Sequence, residues 1–170
     1  RYAVDVIEGR EAAGRLVKLA CERHLRDLEA GADRGLVFDC EAADMVINFA
    51  KMLRHTTGPM AGKPLELRPW QKFRHGSVFG WKHRETRLRR FRETYHQVAK
   101  KNGKTTDTAP PLLYACTFDG EQAPQAFCAA STRDQAGLLF KEVKRMVQAS
   151  PVLMQFIKPW SHSITVPRTN

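Results

Sequence analysis

Val98-Ala99-Lys100-Lys101-Asn102-Gly103-Lys104-Thr105-Thr106 is the stretch on which the reading of the chain turns. It follows an alternating run in which Phe91, Glu93, Tyr95 and Gln97 interleave with Arg92, Thr94, His96 and Val98. That period of two predicts a strand over residues 90–98. A helix or helical turn is predicted to follow. Strand, tight loop, helix is the order a phosphate-binding loop requires. Backbone N–H groups of the loop and first turn, from Asn102 and Gly103 to Thr106, point at the anion, and the helix dipole adds partial positive charge. Lys104 would then reach the β- and γ-phosphates, and the Thr105 hydroxyl would sit on Mg²⁺. The usual pattern is G-x-x-x-x-G-K-[ST], and Val98 stands at its first glycine. Gly103-Lys104-Thr105 alone reads as well as an exposed basic turn, so context has to decide.

Downstream, Asp107 and the pair Pro110-Pro111 fall where the post-loop helix should be under way. A proline there costs roughly 3 kcal/mol, so the helix is expected to be short and restart near Pro110, or to kink. Ala123 to Ala130 is small and apolar and reads as a second strand. Ser131-Thr132-Arg133-Asp134 resembles a capping box, with Asp in place of Glu at the third helical position. The helix it opens runs to about Ala149. Ala136, Leu139, Phe140, Val143, Met146 and Val147 form its apolar stripe, and Lys141, Glu142, Lys144 and Arg145 its other face. Ser150-Pro151 ends it. Two β–α units in series predict a parallel sheet, and a final strand is expected over His162 to Val166.

Upstream, residues from about Glu11 to Ala30 read as a helix with Ala13, Leu16, Leu19, Ala20, His24, Leu25 and Leu28 on one face. Asp39 is a plausible N-cap for a second helix, Glu41 to His55. The two are expected to pair antiparallel. His24 and His55 have no carboxylate or histidine partners at ligand spacing, so they do not suggest a metal. Pro69 suits the first position of a third helix, reaching about Trp81. Its Gln71 reads first as part of a hydrophobic anchor on a sheet; the functional alternative places its amide on an adenine edge. The densest positive run, Lys82 to Arg92, is either a solvated loop or a DNA-facing patch.

At 170 residues the chain can bury one core with a small helical appendage. A formal net charge of +10 attracts polyanions, nucleic acid first. The four cysteines, Cys21, Cys40, Cys116 and Cys128, contain no C-x-x-C pair and read as reduced thiols in a cytoplasmic setting. No apolar run approaches the ~18 residues of a membrane span. The N-terminus lacks a signal-peptide core and an initiator Met, which predicts a piece of a longer chain.

The landmarks in order are Cys21-Glu22-Arg23-His24-Leu25, Arg68-Pro69-Trp70-Gln71-Lys72-Phe73, Phe79-Gly80-Trp81, Arg89-Arg90-Phe91-Arg92, the loop itself, Cys128-Ala129-Ala130-Ser131-Thr132-Arg133-Asp134-Gln135-Ala136 and Val143-Lys144-Arg145-Met146-Val147. This series resembles the large subunit of tailed-phage terminases, over nearly all of the chain. The resemblance also accounts for Val98, because these proteins often lack the first glycine of the loop. It implies an α/β fold: a P-loop NTPase-type partial parallel sheet flanked by helices over residues 63–170, preceded by a small N-terminal helical region, 1–62. It implies binding of ATP and Mg²⁺, with Asn102, Gly103, Lys104, Thr105 and Thr106 in the loop, Thr105 on the metal side and Gln71 as the adenine-sensing glutamine. Lys104 and Lys100 are the implied catalytic residues. Lys100 stands where the family commonly has an arginine acting in cis on the γ-phosphate, and a lysine keeps the charge but loses the bidentate fork.

The implied setting is the cytoplasm of a bacterial host, where the motor packages double-stranded viral DNA into procapsids. The implied partners are a terminase small subunit, the portal protein and further copies in a homo-oligomeric ring, with no membrane. The family's Asp-Glu-tipped apolar strand and its C-terminal nuclease domain, with a carboxylate cluster for two metals, are not found before Asn170. The chain is therefore expected to be the front part of the motor ATPase, to bind nucleotide more weakly and to turn over little. Two other readings stay open: another P-loop NTPase acting on nucleic acid, such as a helicase-like protein, and a non-catalytic basic DNA-binding domain.

Overall fold

Helical periodicity sets most of the architecture of the computed structural model, which describes residues 1–167. The chain is α/β, with helices α1 (Tyr2–Ile7), α2 (Arg15–Ala30), α3 (Cys40–Ala50), α4 (Pro69–Gly80), α5 (Lys104–Thr117), α6 (Arg133–Gln148) and α7 (Leu153–Phe156). Its strands are β1 (Leu36–Phe38), β2 (Trp81–His83), β3 (Lys158–Pro159) and β4 (Ile164–Thr165). They form two separate antiparallel pairs, β1 with β2 and β3 with β4. The chain divides into two compact units, one from Arg1–Ile47 with Leu67–His96, the other from Asn48–Glu66 with the chain from Gln97 on.

The expected parallel sheet is not formed among the described residues. Residues 90–98 and 123–130 make no strand pairing and run as coil. A strand is stable only against a neighbour and a buried face, and Tyr95 and Phe127, at 82% and 84% exposed, bury neither. The last expected strand is present in shortened form as β4.

In the first unit, α1, which sequence periodicity did not reveal, packs against α2. Ala3, Val6 and Cys21 form the centre, with Tyr2, Ala13, Leu25 and Phe73 against it. The anticipated apolar face of α2 is therefore rotated: Leu16 and Leu28 are 69% and 52% exposed, and Leu19 is exposed too. Asp39 caps α3 as expected, accepting from the Ala42 N–H at 3.0 Å, but the helix ends at Ala50 rather than His55. Pro69 opens α4, where the Gln71 side-chain oxygen accepts from the Arg68 N–H at 2.7 Å. Gly80 ends it at a close approach, where a Cβ would lie 2.7 Å from the Phe38 ring and force that ring to move. Leu36, Val37 and Phe38 then pair with His83, Lys82 and Trp81.

In the second unit α5 packs on α6. Ala109, Pro110, Leu113 and Tyr114 from α5 and Val143, Met146 and Val147 from α6 are buried with Phe49, Leu53, Leu65, Leu153 and Ile157. The loop 53–65 is closed by backbone bonds between Leu65 and Leu53 (2.8 Å) and between His55 and Lys63 (3.0 Å). The apolar stripe of α6 lies as the spacing predicts. Glu142, assigned to the outer face, is instead buried, and both its oxygens accept from the Thr56 hydroxyl at 2.8 and 2.9 Å. The cap of α6 is Thr132, which accepts from the Gln135 N–H at 3.3 Å, one residue later than the Ser131 register.

Candidate functional site

The loop before α5 is built from a turn and a change of hand. Asn102 N–H donates to the Ala99 carbonyl at 3.3 Å, closing the turn. Lys101 at φ +69° and Gly103 at φ +69° are both left-handed, with Asn102 between them. Alternation of this kind turns successive N–H groups to one side, the arrangement known as an anion nest. Gly103 is there for its dihedral, not for space, because a Cβ would meet nothing within 4 Å. It is the N-cap of α5, and no side chain caps that helix. In α3 and α6 side chains of the capping residues accept from first-turn N–H groups, which at any helix start suit an anionic acceptor.

Lys100, Lys101, Asn102, Gly103, Lys104 and Thr105 are exposed and Thr106 is half-buried. Three ammonium groups therefore stand beside uncapped backbone donors. Lys104, Thr105 and Thr106 are the first three residues of α5, which fixes them on one turn, with Asn102 and Gly103 immediately before. The turn is tied from within by the Thr108 hydroxyl, which donates to the Lys104 carbonyl at 2.8 Å. Helix α5 runs unbroken from Lys104 to Thr117 with Pro110 and Pro111 inside it, contrary to the expected restart. The prolines cannot donate to the Thr106 and Asp107 carbonyls, and the burial of Pro110, Leu113 and Tyr114 holds the helix together across that gap.

Gln71 lies in the other compact unit from the loop. Its amide oxygen is engaged in capping α4, where it accepts from the Arg68 N–H. The residues would fit an Mg²⁺ ion: Mg²⁺ keeps several waters and takes few protein ligands, and Thr105 offers one hydroxyl on the exposed first turn of α5. No cluster of three or more His, Cys, Asp or Glu residues suited to a metal occurs among the described residues.

The run Lys82 to Arg92 is largely a fastening. Lys82 and Arg87 reach Asp39 at 2.9 and 3.0 Å. Arg90 and Arg34 both bind Asp27, whose side chain is fully buried. Arg90 also lies over the Phe91 ring, 4.9 Å from its centroid, and Arg23 lies over that ring at 4.7 Å. Burial alone would raise the Asp27 pKa, but the hydrogen bonds from Arg90 and Arg34 outweigh it and hold the carboxyl below the usual carboxylate range. The Ala42 N–H, then Lys82, depress Asp39 in the same direction. This carboxylate–arginine set escaped sequence reasoning.

His24 Nδ1 accepts from Trp81 Nε1 at 3.0 Å. All four cysteines are free thiols, and burial, reinforced by Glu22, pushes Cys21 up to about 11. No helix among the described residues is long and apolar enough to cross a membrane.

A family model described as terminase large subunit, ATPase domain, matches residues 69–168. No curated protein and no solved structure matches the chain. The matched segment begins at the first residue of α4 and takes in the run Lys82 to Arg92, the loop, α5 and α6.

Proposed function

The chain belongs to the terminase large-subunit ATPase family, and from that premise we propose that it forms the ATP-binding portion of the motor that drives double-stranded viral DNA into procapsids. The observation that carries this reading is the left-handed pair Lys101 and Gly103 ahead of an uncapped α5 that begins with Lys104. A basic loop with open backbone donors is suited to a polyphosphate. In this reading the N–H groups of Asn102, Gly103 and Thr106 cradle the phosphates, Lys104 holds the β- and γ-oxygens and Thr105 takes Mg²⁺, which neutralises phosphate charge. Lys100 supports the γ-phosphate as a point charge, without the two-pronged contact an arginine makes. Gln71 is the adenine-sensing glutamine.

In the same reading residues 63–170 are the first part of the ATPase domain and residues 1–62 a helical region before it. Residues 90–98 and 123–130 are the segments that would supply strands of the family's parallel sheet. The partners are DNA, the terminase small subunit, the portal and other copies in a ring, in the cytoplasm of the infected bacterium. Endonuclease activity belongs to a separate C-terminal domain of the parent protein. In this reading the chain binds ATP and turns it over little.

Titration of a fluorescent ATP analogue with Mg²⁺ tests the assignment. Saturable binding is expected, weakened roughly 10- to 100-fold in Lys104→Ala, since a charge-assisted contact contributes about 1.5–3 kcal/mol. Binding that is the same in Lys104→Ala, or absent from a chain whose circular dichroism shows it folded, overturns it.

A further inference from the structure

We propose that His24 and Trp81 form an acid-sensitive latch that keeps the first compact unit closed while His24 is neutral and loosens it when His24 takes up a proton. The geometry is specific. Trp81 is 2% exposed, and its indole N–H donates to Nδ1 of His24 at 3.0 Å. An imidazole that accepts at Nδ1 carries its proton on Nε2 and is uncharged. Protonation replaces that lone pair with an N–H, so two donors face each other and the buried indole N–H loses its acceptor.

The residue stands at the meeting point of the unit. Its ring lies edge-to-face with Phe38 of β1, Phe73 of α4 and Trp81 of β2, at 5.2, 5.3 and 5.7 Å between centroids and 86°, 86° and 82° between planes. Tyr2 of α1 extends the cluster through Phe73, at 5.5 Å. One imidazole therefore touches α2, β1, α4 and β2, and a local loss of fit at His24 is transmitted to each of them.

The charges around it do not rescue the imidazolium. Asp27, one turn along α2, favours protonation, but it is engaged by Arg34 and by Arg90 from the segment after β2. Arg23 on α2 opposes protonation. Phe38 of β1 and Phe73 of α4 bring rings, and Lys82 of β2 is held by Asp39. Burial, the largest influence, lowers the His24 pKa. The unfolded chain, with a histidine near the ordinary value of about 6.5, then binds more protons than the folded one below that pH. Stability is present above that value and is lost as pH falls through it towards the folded pKa.

An NMR titration of the ¹⁵N-histidine-labelled chain tests this directly. We expect the Nε2–H tautomer for His24 at pH 7.5, a midpoint below about 6.5 and loss of the Trp81 indole N–H resonance with that same midpoint. The Nδ1–H tautomer, or a Trp81 resonance that persists after His24 has titrated, overturns the proposal. A second reading uses Trp81 fluorescence in a Trp70→Phe, Trp160→Phe background. Its emission should shift to the red on acidification with His24 in place and stay flat in His24→Gln, whose amide can accept without titrating. The same red shift in both proteins also overturns it.

Discussion

Gly103 shows how one dihedral angle can carry a site. At φ +69° with open space around the missing Cβ, Gly103→Ala meets no clash and pays only for the left-handed conformation, roughly 1–2 kcal/mol. Helix α5 remains anchored by its buried face, so the cost falls on the loop. ATP affinity is expected to fall about 5- to 30-fold while the melting temperature moves little, which titration and calorimetry on one sample can separate. A large drop in melting temperature with unchanged affinity would place Gly103 in the scaffold instead. Lys101 adopts the same hand without glycine's freedom, and nothing in the sequence announced it, because left-handed lysines have no signature. Asp27 was equally silent: in one dimension it is an acidic residue on a charged helix, and only Arg34 and Arg90, brought in from other segments, make it a buried ion-pair centre.

Helices were legible where an apolar stripe and a cap agreed. For α3, α4 and α6 the expected residue types stand at the starts, and the stripe of α6 is buried as its spacing implies. The cap of α6 makes a prediction. Thr132→Ala removes the acceptor for the Gln135 N–H at 3.3 Å and is expected to cost about 1 kcal/mol. Ser131→Ala should cost less, since its hydroxyl meets only the Gln135 side chain, at 2.7 Å. Paired denaturant melts decide the register; the reverse order would return the cap to Ser131. Helix α5 was misjudged because propensity counts proline as a breaker, whereas the burial of Ala109, Pro110 and Leu113 offsets the missing bonds. The strands were misjudged for the complementary reason. Alternation over 90–98 specifies which faces a strand would have, but not whether a neighbour is there to bond.

At the scale of the whole molecule the 28 lysines and arginines are less available than they look, since Lys82, Arg87 and Arg90 are engaged with Asp39 and Asp27. Duplex DNA should bind with log K falling linearly in log salt, by about 0.9 per phosphate neutralised. Exposed Arg84 and Arg92 are expected to contribute to that slope, and Arg90 to stability. Fluorescence anisotropy on Arg84→Ala, Arg92→Ala and Arg90→Ala at several salt concentrations separates the two. An Arg90 variant that stays fully stable yet loses slope would contradict the division. The sequence revealed the charge but not its internal use, because pairing across distant segments leaves no local pattern. The two compact units also interleave along the chain: Asn48–Glu66 belongs with the residues from Gln97 on, and Leu67–His96 returns to the company of Arg1–Ile47. On the ribosome, then, the second unit is begun before the first is complete. Helices α1 and α2 emerge first and wait for Trp81 to complete their cluster, while Leu53 and Leu65 wait for α5 and α6. A gene cut once anywhere between codons 48 and 96 leaves both units incomplete.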